Sequence, residues 1–147
     1  MCAIDLDIKS SKLIILNSYR PPKGYFNQFI ENLDDALKYL YKPRAEFSIC
    51  GDVNTDNLNY SNQKQKQLTS LLTTHALSHT VRFATRIQNN SIIAIGNKFV
   101  GNIRINLSSP SPLINGLSDH DAQILTIKNI YATINKLPLK NRTILTV

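Results

Sequence analysis

The chain has 147 residues, 42% of them hydrophobic, and a formal net charge of +7. It has no signal-peptide pattern and no apolar run of about 20 residues, which argues against a secreted or membrane-spanning protein. We therefore expect a globular domain, or a piece of one, that is intracellular and located in the nucleus or cytoplasm. Its two cysteines, Cys2 and Cys50, are expected to be reduced thiols.

The first third of the chain predicts two strands followed by a helix. The strands are expected over residues 2–7 and 13–19, with a polar turn between them. The helix is expected over residues 25–41, because apolar residues recur there at steps of three and four and would form one buried face. These residues are Phe26, Phe29, Ile30, Leu33, Leu37 and Leu40.

The remaining two thirds predict further alternation of strands and helices. A short central strand is expected over residues 47–50, and a second helix over residues 63–74 that buries Leu68, Leu71 and Leu72. Later strands are expected over residues 92–95, 99–107 and 122–127, with a loop at Ser108-Ser109-Pro110-Ser111-Pro112. We expect one domain over residues 1–127 and a loosely attached tail over residues 128–147.

Polar motifs follow two of the predicted strands. Tyr19 ends a strand-like run and is followed by Arg20-Pro21-Pro22, where the prolines prevent the ladder from continuing. Its phenol could serve a site at the sheet end, or it could be a packed aromatic whose hydroxyl bonds the backbone. Gly51-Asp52-Val53-Asn54 follows the central strand and offers a carboxylate and an amide two residues apart, although such residues also form ordinary turns.

The third motif is Gly116-Leu117-Ser118-Asp119-His120-Asp121. Asp119 and Asp121 are the only acidic residues after Asn57, where ten Lys and Arg give a net charge of +8. Carboxylates and a histidine kept in a basic region are typical of a site for a metal ion or a polarised water next to a polyanion. A polar turn that enters a strand would show the same residues.

In order and spacing, these motifs and Phe83-Ala84-Thr85-Arg86 resemble the endonuclease/exonuclease/phosphatase superfamily, in particular the AP-endonuclease-like endonucleases of non-LTR retrotransposons. The resemblance covers residues 2–127. It implies an α/β fold, a partial two-sheet sandwich of the endonuclease/exonuclease/phosphatase type whose N-terminal half is missing. It also implies hydrolysis of DNA phosphodiesters with Mg²⁺ or Mn²⁺ as the cofactor, which carboxylate ligands suit.

The resemblance assigns roles to six residues. Asp52 would position or deprotonate the attacking water, while Asn54 and Tyr19 would hold the scissile phosphate. Asp119 would be a metal ligand, and His120 would bind the phosphate and stabilise its developing charge. Arg86 would contact the DNA.

Two departures from the family pattern predict impaired catalysis. The glutamate that is the family's main metal ligand belongs to the N-terminal half, and neither Glu31 nor Glu46 is placed to replace it. Gly96 stands where the family has the aspartate that orients the catalytic histidine. We therefore expect Gly96 to lie near the His120 ring and to leave a gap on its far side, where no carboxylate reaches the ring nitrogen that faces away from the phosphate. The alternative function is therefore a relic fragment that binds nucleic acid without catalysis.

Other basic and histidine residues give weaker signals. Six basic residues could line a nucleic-acid groove or form a solvated face: Lys64, Lys66, Arg82, Arg86, Lys98 and Arg104. His75 and His79 have a spacing that suits zinc on a helix, but no Glu or Cys accompanies them and the helix is expected to end there. Asp56 and Asp121 are expected to be turn or cap residues.

Overall fold

The computed structural model describes residues 1–8, 11–88, 91–114, 121–128 and 142–144. Two α-helices and ten strands are present in these ranges, together with one 3₁₀ helix over Asn102–Leu107. The helices are α1 (Phe26–Leu40) and α2 (Gln63–Thr74). The strands are β1 (Cys2–Ile8), β2 (Ser11–Asn17), β3 (Ala45–Asp52), β4 (Leu77–His79), β5 (Arg86–Gln88), β6 (Ser91–Ile93), β7 (Gly96–Gly101), β8 (Ser108–Leu113), β9 (Ala122–Ile127) and β10 (Arg142–Ile144).

Six strands form the main sheet in the order β10-β1-β2-β3-β7-β4. The pair β2–β3 is parallel and is connected through α1, whereas the other pairs of this sheet are antiparallel. Strands β5–β6 and β8–β9 form two smaller antiparallel sheets. The fold class predicted from the sequence, a mixed α/β architecture, is confirmed.

The main core lies between the large sheet and the two helices. Ile14, Leu16 and Ile49 of the sheet are almost fully buried and pack with the apolar stripe of α1 and with Leu68 and Leu72 of α2. Alternation along β2 and β3 turns the intervening residues to the other face of the sheet. One face of the sheet therefore packs against the helices. Asp52 and its partner in the β3–β7 pair, Gly96, lie on the other face.

Several sequence predictions of secondary structure need correction. Residues 108–112 were expected to form a loop, but Ser108–Leu113 is a strand that pairs with β9. Proline lacks a donor but can occupy an outer strand, where that donor is not needed. Residues 102–107 were expected to extend a strand and instead form the 3₁₀ helix. The short strands β4 and β5 were not predicted.

Both predicted helices are confirmed to within a residue or two at their ends. Strand β10, which the prediction placed in a loosely attached tail, pairs antiparallel with β1. Neither helix in the described part of the chain has the length and apolar composition needed to cross a membrane. Both cysteines are free thiols.

Candidate active site at the ends of two parallel strands

The first two polar motifs lie side by side because β2 and β3 are parallel. Their backbones continue to pair beyond the strand ends, since Ser18 N donates to Cys50 O at 2.9 Å and Arg20 N donates to Asp52 O at 3.0 Å. The carboxyl ends of parallel strands lie at the same edge of a sheet, where polar groups can converge. The backbone of Tyr19 therefore lies beside that of Asp52, as does Arg20 beside Val53, although Arg20 and Val53 are 33 positions apart in the sequence.

Gly51 permits this close approach of the two chains. Its φ is +133°, and a Cβ added there would lie 1.8 Å from the carbonyl oxygen of Ser18. No side chain fits in that space, and L-residues rarely adopt this φ. The glycine of the Gly-Asp-x-Asn motif is thus required by backbone packing.

The Asp52 carboxylate stabilises the turn that follows it. Asp52 Oδ1 accepts a hydrogen bond from Asn54 N at 2.9 Å. Asn54 adopts a φ of 48°, in the left-handed region that asparagine tolerates better than most residues. The carboxylate is held in one orientation by this turn, as a group that has to orient a water must be.

Arg20 is a structural residue whose role sequence reasoning missed. Only 3% of its surface is exposed, and Nε donates to Val53 O at 2.8 Å while Nη2 donates to Asn54 O at 2.6 Å. Nη1 donates to Gly24 O at 3.1 Å. Burial lowers the pKa of the guanidinium, and the negative charge of Asp52 opposes that shift.

The bonds between Arg20 and Asn54 run in both directions. Asn54 Nδ2 donates to the carbonyl oxygen of Arg20 at 2.8 Å, so one hydrogen of the Asn54 side-chain amide is used in a structural bond. The guanidinium also lies 5.5 Å from the centre of the Phe26 ring at the start of α1. We call this reciprocal arrangement of Arg20 and Asn54 the Arg20 clamp.

Tyr19 points outward beside the clamp. Its side chain is among the exposed aromatics, with 63% of the residue accessible to solvent. The alternative interpretation of Tyr19 as a packed aromatic is therefore wrong. An exposed phenol at the sheet end that also carries Asp52 can donate a hydrogen bond to an anion.

The loop after Asn54 is tied to the start of β7. Asp56 Oδ1 accepts from Leu58 N and from Ala94 N, both at 3.1 Å, which confirms the predicted turn role of Asp56. The buried amide of Asn57 bonds to Asn97 Oδ1 and to Ala94 O. These contacts connect the Asp52 loop to the neighbouring strand.

The space beside Gly96 is occupied, whereas the predicted gap on the far side of the His120 ring stays a prediction, because His120 lies outside the described residues. Gly96 pairs with Asp52 across β3 and β7, and a Cβ built on it would lie 2.2 Å from Gln123 Nε2. The amide of Gln123, from β9 of a separate small sheet, thus fills the space. Its Oε1 is buried and has no hydrogen-bond partner among the described residues.

Asp119 and His120 lie outside the described residues, so their predicted positions and roles stay predictions. The chain is described again from Asp121, whose backbone N donates to Thr85 O at 2.9 Å. Arg86, the predicted DNA contact, begins β5 and is partly buried.

Two of the six basic residues make contacts within the fold, and the groove formed by the set stays a prediction. Arg104 makes a two-pronged ion pair with Glu46, with Nε–Oε2 and Nη2–Oε1 distances of 2.5 and 2.8 Å. Glu46 lies at the start of β3, far from Asp52, as expected. Lys98 is partly buried and donates to the carbonyl oxygen of Gln123 at 2.5 Å.

The histidine pair does not form a metal site. His75 Nε2 lies 2.8 Å from Asp34 Oδ1, whereas His79 packs against Phe99 with ring centres 5.0 Å apart. Across the described ranges, no three His, Cys, Asp or Glu side chains gather closely enough to hold a metal ion. Asp52 alone does not make a binding site for Mg²⁺, which needs several oxygen ligands.

Comparison with solved structures identifies the architecture. The endonuclease domain of TRAS1, a telomere-specific non-LTR retrotransposon, matches with a TM-score of 0.67 and 14% identity, over 84% of this chain and 61% of that chain. An AP endonuclease from Archaeoglobus fulgidus matches with a TM-score of 0.64 and 12% identity, over 86% of this chain and 65% of that one. The chain has the fold of these nucleases.

An endonuclease/exonuclease/phosphatase family protein from Leptotrichia buccalis C-1013-b shares this nuclease fold, with a TM-score of 0.66 and 13% identity, over 86% of this chain and 53% of that chain. The chain therefore spans less than two thirds of the length of these three proteins. No family model matches the sequence. No curated protein matches it either.

Proposed function

We propose that the chain is part of a metal-dependent DNA phosphodiesterase of the retrotransposon endonuclease type, and that it binds DNA with impaired cleavage when it acts alone. The observation that carries the proposal is the placement of Tyr19 next to Asp52 at one sheet end, in a fold shared with nucleases. Function in such folds is located at strand ends.

The described residues suit the recognition of a phosphodiester and a water. Asp52 carries an acceptor for a water proton, and its orientation is fixed through the bond to Asn54 N. Tyr19 is exposed and can donate its hydroxyl hydrogen to a phosphate oxygen. Asn54 can contribute the amide hydrogen that is not directed at Arg20 O.

The resemblance supplies the rest of the proposed site. Asp119 would join Asp52 in an oxygen-rich environment suited to Mg²⁺ or Mn²⁺, and His120 would contact the phosphate. When bound, such an ion would stabilise charge on the phosphate. The described residues do not by themselves complete a metal site. Arg86 would bind the DNA backbone.

One observation favours the non-catalytic alternative. The Gln123 amide occupies the space at Gly96 where the family pattern has a carboxylate. An amide carries no charge, so it would stabilise an imidazolium less than a carboxylate does. DNA binding does not depend on this group, because it follows from the net charge of +7.

A plasmid-nicking assay with Mg²⁺ and with Mn²⁺ tests the catalytic part. We expect the chain to nick no faster than a reaction with EDTA, and Asp52→Ala to give the same trace. Asp35→Ala, which removes an exposed carboxylate from α1, is the matched control. Nicking that disappears in Asp52→Ala and persists in Asp35→Ala would contradict impairment and establish the enzyme.

A DNA-binding titration at several salt concentrations tests the other part. We expect affinity at low salt that falls steeply as salt rises, with a log–log slope of roughly −0.9 for each phosphate contacted, and little sequence preference. Tyr19→Phe should weaken binding if the phenol contacts phosphate, whereas Tyr39→Phe on the exposed side of α1 should not. Absence of binding at low salt would refute the DNA-binding proposal.

A further inference from the structure

Thr85 connects three segments of the chain through its backbone and its hydroxyl. The residue is 1% exposed. Its Oγ1 accepts hydrogen bonds from Ile95 N and Gly96 N, both at 3.0 Å. Its backbone N donates to Ile93 O at 3.0 Å, and its carbonyl accepts from Asp121 N at 2.9 Å.

These segments adjoin, one in the sheet and one in the sequence, the two groups of residues that the proposed function assigns to one site. Gly96 is the partner of Asp52 in the β3–β7 pair. Asp121 leads into β9 and directly follows Ser118-Asp119-His120 in the sequence. One buried residue thus bonds both to the strand that flanks Asp52 and to the chain that enters β9 from the third motif.

The hydroxyl of Thr85 is the group that accepts both backbone hydrogen bonds at the start of β7. Ile95 precedes β7 and Gly96 begins it, and their two neighbouring amides converge on one oxygen, which can accept both because a hydroxyl has two lone pairs. A methyl group in its place would remove this acceptor from the buried N–H of Ile95 and from the partly buried N–H of Gly96. In an active site, a displacement of about 1 Å can lower a rate by two orders of magnitude.

We propose that Thr85 is a positioning residue that sets the spacing between the Asp52 end of β3 and the entry of β9 at Asp121. This proposal rests on the proposed function, because only that function assigns the two ends to one phosphodiester site and so makes their spacing important. In the Ala84-Thr85-Arg86 motif, the threonine is then the residue that organises the site, beside the arginine that was expected to contact DNA.

The test compares Thr85→Val with Thr85→Ser in the full chain by ¹⁵N NMR and amide hydrogen exchange. In Thr85→Val, we expect exchange at Ile95 and Gly96 to become at least about ten-fold faster. We also expect the amide signals of Asp52 and Asp121 to shift together, although neither amide bonds to the hydroxyl. Thr85→Ser keeps the hydroxyl and should restore both signals.

Thr80→Val is the matched control. Thr80 is also a buried threonine, and its hydroxyl donates to Lys98 O on β7 at 2.9 Å. This variant should leave the signals of Asp52 and Asp121 in place. The proposal is overturned if Thr85→Val perturbs only Ile93 to Gly96, or if Thr85→Ser perturbs Asp52 and Asp121 as strongly as Thr85→Val does.

A Thr85→Val chain that failed to fold would leave Thr85→Ser as the deciding variant. Wild-type signals at Asp52 and Asp121 in the serine variant would support the hydroxyl as the organising group, and displaced signals would refute it. These readouts do not require cleavage. Failure of the nicking or DNA-binding assays would therefore count against the proposed function and not against the positioning role.

Discussion

Replacing Arg20 by methionine should destabilise the chain although the residue contacts no other charged side chain at hydrogen-bond distance among those described. Methionine keeps most of the buried stem and removes every donor. The two shortest bonds, to Asn54 O at 2.6 Å and Val53 O at 2.8 Å, would be lost together with the bond to Gly24 O. The carbonyl of Val53 would keep only a long contact of 3.3 Å from Thr55 Oγ1.

The size of the effect follows from these bonds. A hydrogen bond from a charged group contributes about 1.5–3 kcal/mol, so two such bonds correspond to about 3–6 kcal/mol. The cost of burying the guanidinium offsets part of this, and Asn54 O can turn toward water, which leaves a net loss of about 3 kcal/mol. For a chain of this length, that loss lowers the melting temperature by about 6–12 °C.

Urea unfolding followed by circular dichroism measures this loss. Lys23→Met, at an exposed position of the same segment, is the control and should change the free energy of unfolding by less than about 0.5 kcal/mol. Arg20→Lys should lose roughly half as much as Arg20→Met, because its single nitrogen cannot reproduce the fork of donors. If Arg20→Met is as stable as Lys23→Met, the clamp does not stabilise the fold.

Three further predictions concern stability and can use the same unfolding measurement. Gly51→Ala should lower the free energy of unfolding by more than about 3 kcal/mol, because its Cβ would overlap a carbonyl oxygen at a φ that alanine disfavours. Gly101→Ala, whose Cβ would have its nearest contact at 3.9 Å, is the control and should be tolerated. Equal losses in the two variants would refute this reason. Gly96→Ala should cost less than about 1 kcal/mol, because the atom that its Cβ would overlap is the end of the flexible Gln123 side chain, which can turn away. A loss as large as that of Gly51→Ala would contradict this reason. Burial lowers the pKa of His79 from 6.5 to about 4, so between these pH values the unfolded chain binds a proton at His79 that the folded chain does not. The free energy of unfolding should therefore be highest above about pH 6.5 and fall by about 3 kcal/mol toward pH 4. His79→Gln should remove this fall, and an unchanged pH dependence in that variant would show that the histidine is accessible in the folded chain.

The spacing of apolar residues and the position of polar motifs in the sequence predicted the helices and the strand ends of the fold. The apolar stripe of α1 has helical spacing, and the three polar motifs follow or precede strands, so the helices and the pairing of the Tyr19 and Asp52 motifs could be anticipated. The 3₁₀ helix and the three-residue strand β4 could not, because such short elements depend on tertiary contacts more than on residue type. The proline-containing strand β8 was missed for the same reason, since its role as an outer strand is set by its partner.

In the candidate site as well, some residues could be predicted from sequence motifs and others depend on tertiary contacts. Tyr19, Asp52 and Asn54 could be selected from motifs, but the sequence does not show that Arg20 is buried, because arginine is among the residues most often found at the surface. Gly96 could be identified as a departure from the family pattern. The filling of its space by Gln123 depends on how two sheets stack, and residue spacing along one chain carries no information on that stacking.

The chemistry of the Arg20 clamp bears on how this surface can change over generations. Within the part of the chain that the structure describes, the guanidinium bonds only to main-chain oxygens, at Pro21, Pro22, Gly24, Val53 and Asn54. Every amino acid supplies such an oxygen, so the identity of the side chains around the clamp is not specified by it. The loops beside Tyr19 and Asp52 can therefore accept new side chains, and with them new substrate preferences, while a single arginine preserves the geometry of the two strand ends.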